Sequence, residues 1–94
     1  MPEEPDRKQF DHAMLLDRIL SGVRDLLLAK GLDPPLLGPT TILVKGDTGI
    51  DSLDLAALLV ELELFCDVDP FADGFKDFRT AAELANLYVA ATGR

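Results

Sequence analysis

The stretch Gly49-Ile50-Asp51-Ser52-Leu53-Asp54-Leu55-Ala56-Ala57-Leu58-Leu59-Val60-Glu61-Leu62-Glu63-Leu64-Phe65 decides the architecture. Asp51 offers a side-chain oxygen to an orphan amide at a helix start, and Asp54 adds a second negative charge against the positive end of the helix dipole. Apolar residues then run without a breaker to about Phe65, and Asp69-Pro70 ends the helix. At about 100° per residue, Leu55, Leu58, Leu59, Leu62 and Phe65 fall on one side, which predicts a core face. Leu53, Ala56, Ala57, Val60 and Leu64 fall on the other. Asp54 and Glu61 edge that second stripe on one flank, Ser52 and Glu63 on the other. A surface helix has no structural need for it.

Upstream, residues 32–50 carry Pro34, Pro35, Gly38, Pro39, Gly46 and Gly49, a density of breakers that predicts a long loop. Thr40 to Val44 has strand-like composition, but no second run presents itself as a partner, so it is expected to lie extended over the helices. Before the loop, Leu16, Ile19, Leu20, Val23, Leu26 and Leu27 recur at helical spacing from about Phe10 to Lys30. Lys30 suits the negative end of that helix, and Gly31 supplies its left-handed stop. Downstream, Phe71, Phe75 and Phe78 around Gly74 predict a short or irregular third helix that adds aromatic bulk to the core. Thr80-Ala81-Ala82-Glu83 is a capping box for a fourth helix ending near Thr92, with Gly93 as its stop. The expected fold is all-α, a four-helix bundle with a long loop between helices 1 and 2 and a short third helix. Residues 1–8, charged and containing Pro2 and Pro5, are expected to form a flexible tail, leaving 9–94 as the domain.

The chain has 94 residues, the size of one small domain, which disfavours a large enzyme cleft. Nine Lys and Arg against seventeen Asp and Glu give a net charge of −8, which argues against nucleic acid or an anionic membrane as partner. No apolar run approaches a membrane span and no leader-like segment opens the chain, so a soluble cytoplasmic protein is expected. Cys66 and His12, the only residues of their kinds, cannot supply a disulfide or a zinc site. A Cys-His nucleophile would have to use this pair, and Cys66, at the end of an apolar helix, is expected to be a buried structural thiol. His12 is expected on the solvated surface. Gly46-Asp47-Thr48-Gly49 lacks the Gly-Lys-Ser/Thr ending of a phosphate-cradling loop. No catalytic residue and no metal site is expected.

Ser52 remains. It places a hydroxyl at the first turn of a helix, where free amides and the dipole favour a phosphate. It also suits a plain helix-start residue. The surrounding Gly49-Ile50-Asp51-Ser52-Leu53-Asp54, after a helix and a long Pro-containing loop in an acidic chain of this length, resembles the acyl and peptidyl carrier proteins. The resemblance covers nearly the whole chain. It implies a four-helix bundle in which Ser52 carries 4′-phosphopantetheine, transferred from coenzyme A, whose terminal thiol holds an acyl or aminoacyl group as a thioester. Asp51, Leu53 and Asp54 match the positions flanking the motif's serine. Ala57 and Leu64 stand where many fatty-acid carriers have Glu. The stretch Val44 to Gly49 is a few residues longer than the usual loop, and Cys66 to Phe71 departs from the family's helix ending. A specialised pathway, making a polyketide, a nonribosomal peptide or a related product, is therefore implied.

The partners implied by the resemblance are a phosphopantetheinyl transferase, an acyl- or aminoacyl-activating ligase, and downstream synthases, transferases or tailoring enzymes. The face that meets them is expected to comprise Asp51, Leu53, Asp54, Ala56, Val60 and Glu61, apolar contacts giving affinity and acidic edges orientation. For Leu64, cover by the third helix and exposure are both open. A monomer with reduced Cys66 is expected, since no coiled-coil seam is present. The competing reading is a small helical protein–protein interaction module without a prosthetic group.

Overall fold

The computed structural model describes residues 11–44, 49–72, 74 and 76–92. The tail at 1–8, the expected helix start near Phe10, the Gly46-Asp47-Thr48 part of the loop, Phe75 and the stop at Gly93 lie outside the described residues. Among the described residues the protein is all-α, with α1 (His12–Ala29), α2 (Ser52–Cys66) and α3 (Ala81–Thr92). No described helix is long and apolar enough to cross a membrane.

Asp11 caps α1, its carboxylate accepting the Met14 amide at 2.9 Å. Leu15, Ile19, Val23 and Leu27 form the fully buried line, four residues apart, with Leu16, Leu20 and Leu26 half-buried beside it. The apolar spacing placed the stripe correctly but passed over Leu15, because Leu15 and Leu16 are equally apolar and only the position of the neighbours separates them. The helix closes as expected at Lys30 and Gly31, the latter at φ 78°. α1 packs on both other helices, more extensively on α3. It comes close to α2 at Gly22, where a β-carbon would lie 2.6 Å from Leu58 Cδ1. α3 joins α2 through Tyr88, fully buried, whose hydroxyl donates to the Leu59 carbonyl at 3.3 Å. Burial pushes that phenol's pKa well above its ordinary value.

Two expectations are corrected. Helix α2 ends at Asp67, in left-handed conformation at φ 60°, and the segment expected as a short third helix is turn, bend and irregular chain wherever it is described. Phe71 N–H bonds the Asp69 carboxylate at 2.9 Å, Ala72 N–H bonds the Asp69 carbonyl, and Gly74 sits at φ 134°. Pro70 offers no amide to continue α2, and the Asp69 turn with Gly74 at positive φ stands where an i to i+4 ladder was expected. Three helices are thus present among the described residues, where four were expected. The aromatic bulk still arrives: Phe71 lies 6.1 Å from Phe78 and meets Tyr88 edge-on at 6.4 Å.

The second correction concerns Thr40 to Val44, for which the sequence offered no partner. Ile42 makes an isolated antiparallel bridge with Thr80, and Leu43 N–H donates to the Arg79 carbonyl at 2.7 Å. Ala81 and Ala82 donate to the carbonyls of Thr41 and Pro39 at 3.0 and 2.9 Å, so the loop accepts two orphan amides of α3. The pairing is too short to leave a sequence pattern. The expected capping box supplies the rest: Thr80 Oγ1 accepts the Glu83 amide, and the Glu83 carboxylate accepts the amides of Arg79 and Thr80, which hold its pKa below the usual range. The loop from α1 is thereby strapped across the start of α3, with Leu43 buried beneath it.

Candidate functional site at the start of α2

Asp51 is extended, and its Oδ1 accepts the Asp54 amide at 2.9 Å while Asp54 Oδ2 accepts the Asp51 amide at 3.1 Å. This reciprocal box satisfies two backbone donors at the helix start. Ser52, between them in sequence, is the first helical residue and is exposed. Capping here is the work of the two aspartates, so the helix start does not need the Ser52 hydroxyl. That removes the main structural reason for a serine at this position.

Gly49 has a structural reason as well. Its φ is 106°, and a β-carbon there would lie 3.0 Å from Leu27 Cδ2 and 3.3 Å from Leu32 Cδ1. The chain thus passes close over the end of α1 in a conformation that L side chains rarely adopt. Lys30, the C-cap of α1, reaches the same place. Its Nζ donates to the Gly49 carbonyl at 3.0 Å, lies 3.7 Å from Asp51 Oδ2 and pairs directly with Asp54. The bond from Lys30, followed by that from the Asp51 amide, holds the Asp54 carboxyl below its ordinary value, and the Asp54 bond raises Lys30. Sequence reasoning missed this role, since a lysine ending a helix is already accounted for by the dipole. Nothing local connects Lys30 to residues 19 or more positions away.

Along α2 the two faces separate as the helical projection predicts. Leu58 and Leu62 are buried, and Leu55, Leu59 and Phe65 pack half-buried against the core, with the Arg18 guanidinium 4.6 Å above the Phe65 ring. On the opposite side Leu53 is 80% exposed, Val60 54% and Leu64 79%, with Ala56 and Ala57 also open. The segment after α2 does not cover Leu64. Of the acidic residues expected beside this stripe, Asp51 and Glu61 are exposed, whereas the Asp54 side chain is only 16% exposed and turned to Lys30.

Elsewhere the chemistry is sparse. Cys66 is buried, as expected, and burial raises its thiol pKa despite the nearby Arg18. His12 departs from its expected place on the solvated surface: it is half-buried, and Nε2 lies 3.3 Å from the Ala82 carbonyl, to which it donates in the Nε2–H tautomer. The described residues contain no cluster of His, Cys, Asp and Glu that could hold a metal. Compared with known proteins, the chain matches no family model, no curated protein and no solved structure.

Proposed function

We propose that this chain is a stand-alone acyl or aminoacyl carrier protein, with 4′-phosphopantetheine attached through a phosphodiester to Ser52. The observation that carries the reading is the exposed Ser52 hydroxyl at the first turn of α2, in a helix start whose capping Asp51 and Asp54 already perform. The positive end of the α2 dipole suits a phosphodiester there. The residues therefore fit the group. When bound, the arm supplies a thiol that holds a cargo as a thioester. The chain's own residues present Ser52 and catalyse nothing, the chemistry belonging to partner enzymes. In this reading the bundle is a carrier fold whose usual third helix corresponds to the segment between α2 and α3.

The exposed stripe of Leu53, Ala56, Val60 and Leu64 beside Ser52 is the face for the transferase, the activating ligase and the downstream enzymes. Asp51 and Glu61 steer their basic patches toward it, and the small contact area allows release. The test is intact mass after incubation with coenzyme A and a broad-specificity phosphopantetheinyl transferase. Wild-type protein is expected to gain one phosphopantetheinyl group, and Ser52→Ala none while keeping its helical circular dichroism. Modification of Ser52→Ala would overturn the assignment. A wild-type protein that gains nothing favours the interaction module, for which the same exposed stripe would be the binding surface.

A further inference from the structure

We propose that Lys30 is a positioning residue for the chemistry at Ser52, a role that rests on the carrier reading of that serine. Lys30 stands at the end of α1, yet its ammonium reaches across to the start of α2, where it meets the Gly49 carbonyl, Asp51 and Asp54. The two carboxylates are the two halves of the box that encloses Ser52. Their negative charges repel each other, and Lys30 offsets both. Among the described residues no other cation pairs with either.

The contact is reinforced from a second direction. Gly49 lies close against Leu27, three residues before Lys30, and against Leu32, two residues after it. One residue thus passes close to two leucine side chains, which leave no room for a β-carbon, and accepts a charged donor at its carbonyl. The Ser52 turn is thereby referenced to the end of α1, whose buried line includes Leu27, although residues 30–51 separate the two helices in sequence. A transferase docked on α2 finds the hydroxyl in one place, and a misplacement of about 1 Å is enough to slow a transfer by tenfold or more.

The experiment compares wild type with Lys30→Met, which keeps the length of the side chain and removes the charge, and with Lys30→Arg. Amide hydrogen exchange is measured on the unmodified proteins, and phosphopantetheine transfer from coenzyme A on all three. Lys30→Met is expected to lose about tenfold of the protection at the Asp51 and Asp54 amides while α1 and α3 keep theirs. Its kcat for transfer is expected to fall about tenfold with KM within twofold. Lys30→Arg is expected to recover most of both. Unchanged exchange and kcat in Lys30→Met overturn the proposal. So does faster transfer through a lower KM, which would show that Lys30 screens acidic residues from the transferase. Loss of protection throughout α1 and α3 would assign Lys30 to global stability and equally overturn it. If wild-type protein accepts no arm, the reading of Ser52 fails separately, and the exchange at Asp51 and Asp54 alone decides whether Lys30 holds the turn.

Discussion

Helices α1 and α2 are both rich in leucine, and they spend it differently. In α1 the leucines and their aliphatic neighbours converge on one line, Leu15, Ile19, Val23 and Leu27, while Asp17, Arg18, Arg24 and Asp25 occupy the exposed surface. Met14 and Leu28 are exposed singly, as scattered apolar residues commonly are. In α2 one face is buried through Leu58 and Leu62, but the other presents Leu53, Ala56, Ala57, Val60 and Leu64 in a continuous row. Folding accounts for everything in α1 and for half of α2. The unexplained half begins beside Ser52, and contiguous apolar surface on a small protein marks a place of contact.

The largest effect is expected from breaking the buried face. Leu58→Asp removes a side chain whose loss alone costs about 2–5 kcal/mol and sets an unpaired carboxylate against Gly22 of α1. Loss of the helical circular dichroism signal at ambient temperature is the expected result. A folded Leu58→Asp would mean that the two faces of α2 do not differ as described.

A contrasting effect belongs to the exposed face. Leu53→Asp and Val60→Asp are expected to change unfolding free energy by no more than about 0.5 kcal/mol, measured by chemical denaturation. Both should nonetheless slow modification of Ser52 severalfold in a transferase assay, because they put charge where a partner expects apolar contact. Destabilisation equal to that of Leu58→Asp would assign the stripe to the core.

The smallest effect sharpens the junction between the two helices. Lys30 lowers the folded-state pKa of Asp54, so that carboxylate contributes stability that is fully present above its unfolded value near 3.8 and is lost as pH falls through the lower folded value. Glu83, lowered by the amides of Arg79 and Thr80, acts in the same direction at the start of α3. Acid titration of thermal stability should therefore decline less steeply below about pH 4 in Asp54→Asn than in wild type. Identical acid limbs would show that the Lys30–Asp54 pair adds nothing in solution.

Much of the fold was legible because it rests on local rules. Asp51 and Thr80 were recognisable as helix starts from residue type and spacing, and Gly31 as a stop, since caps act within one turn. The two faces of α2 followed from periodicity alone. The break at Asp69-Pro70 was legible, but the form of the segment after it was not, because Phe71, Phe75 and Phe78 suggested a short helix where the Asp69 side chain and Gly74 at positive φ set a turn. The bridge between Ile42 and Thr80 was equally hidden, as one pair of residues leaves no alternation to detect.

By itself the sequence determined which segments are helical at α1, α2 and α3, which face of α2 has no folding purpose, and that Ser52 stands at a helix start. Each of these depends on residues within a few positions of one another. Only the tertiary structure decided that Lys30 grips the Gly49 carbonyl and the Asp51–Asp54 box, that Gly49 must be glycine to pass Leu27 and Leu32, and that the loop caps α3. Those contacts join groups far apart along the chain. Their partners are chosen by how α1, α2 and the loop pack, which no local spacing encodes.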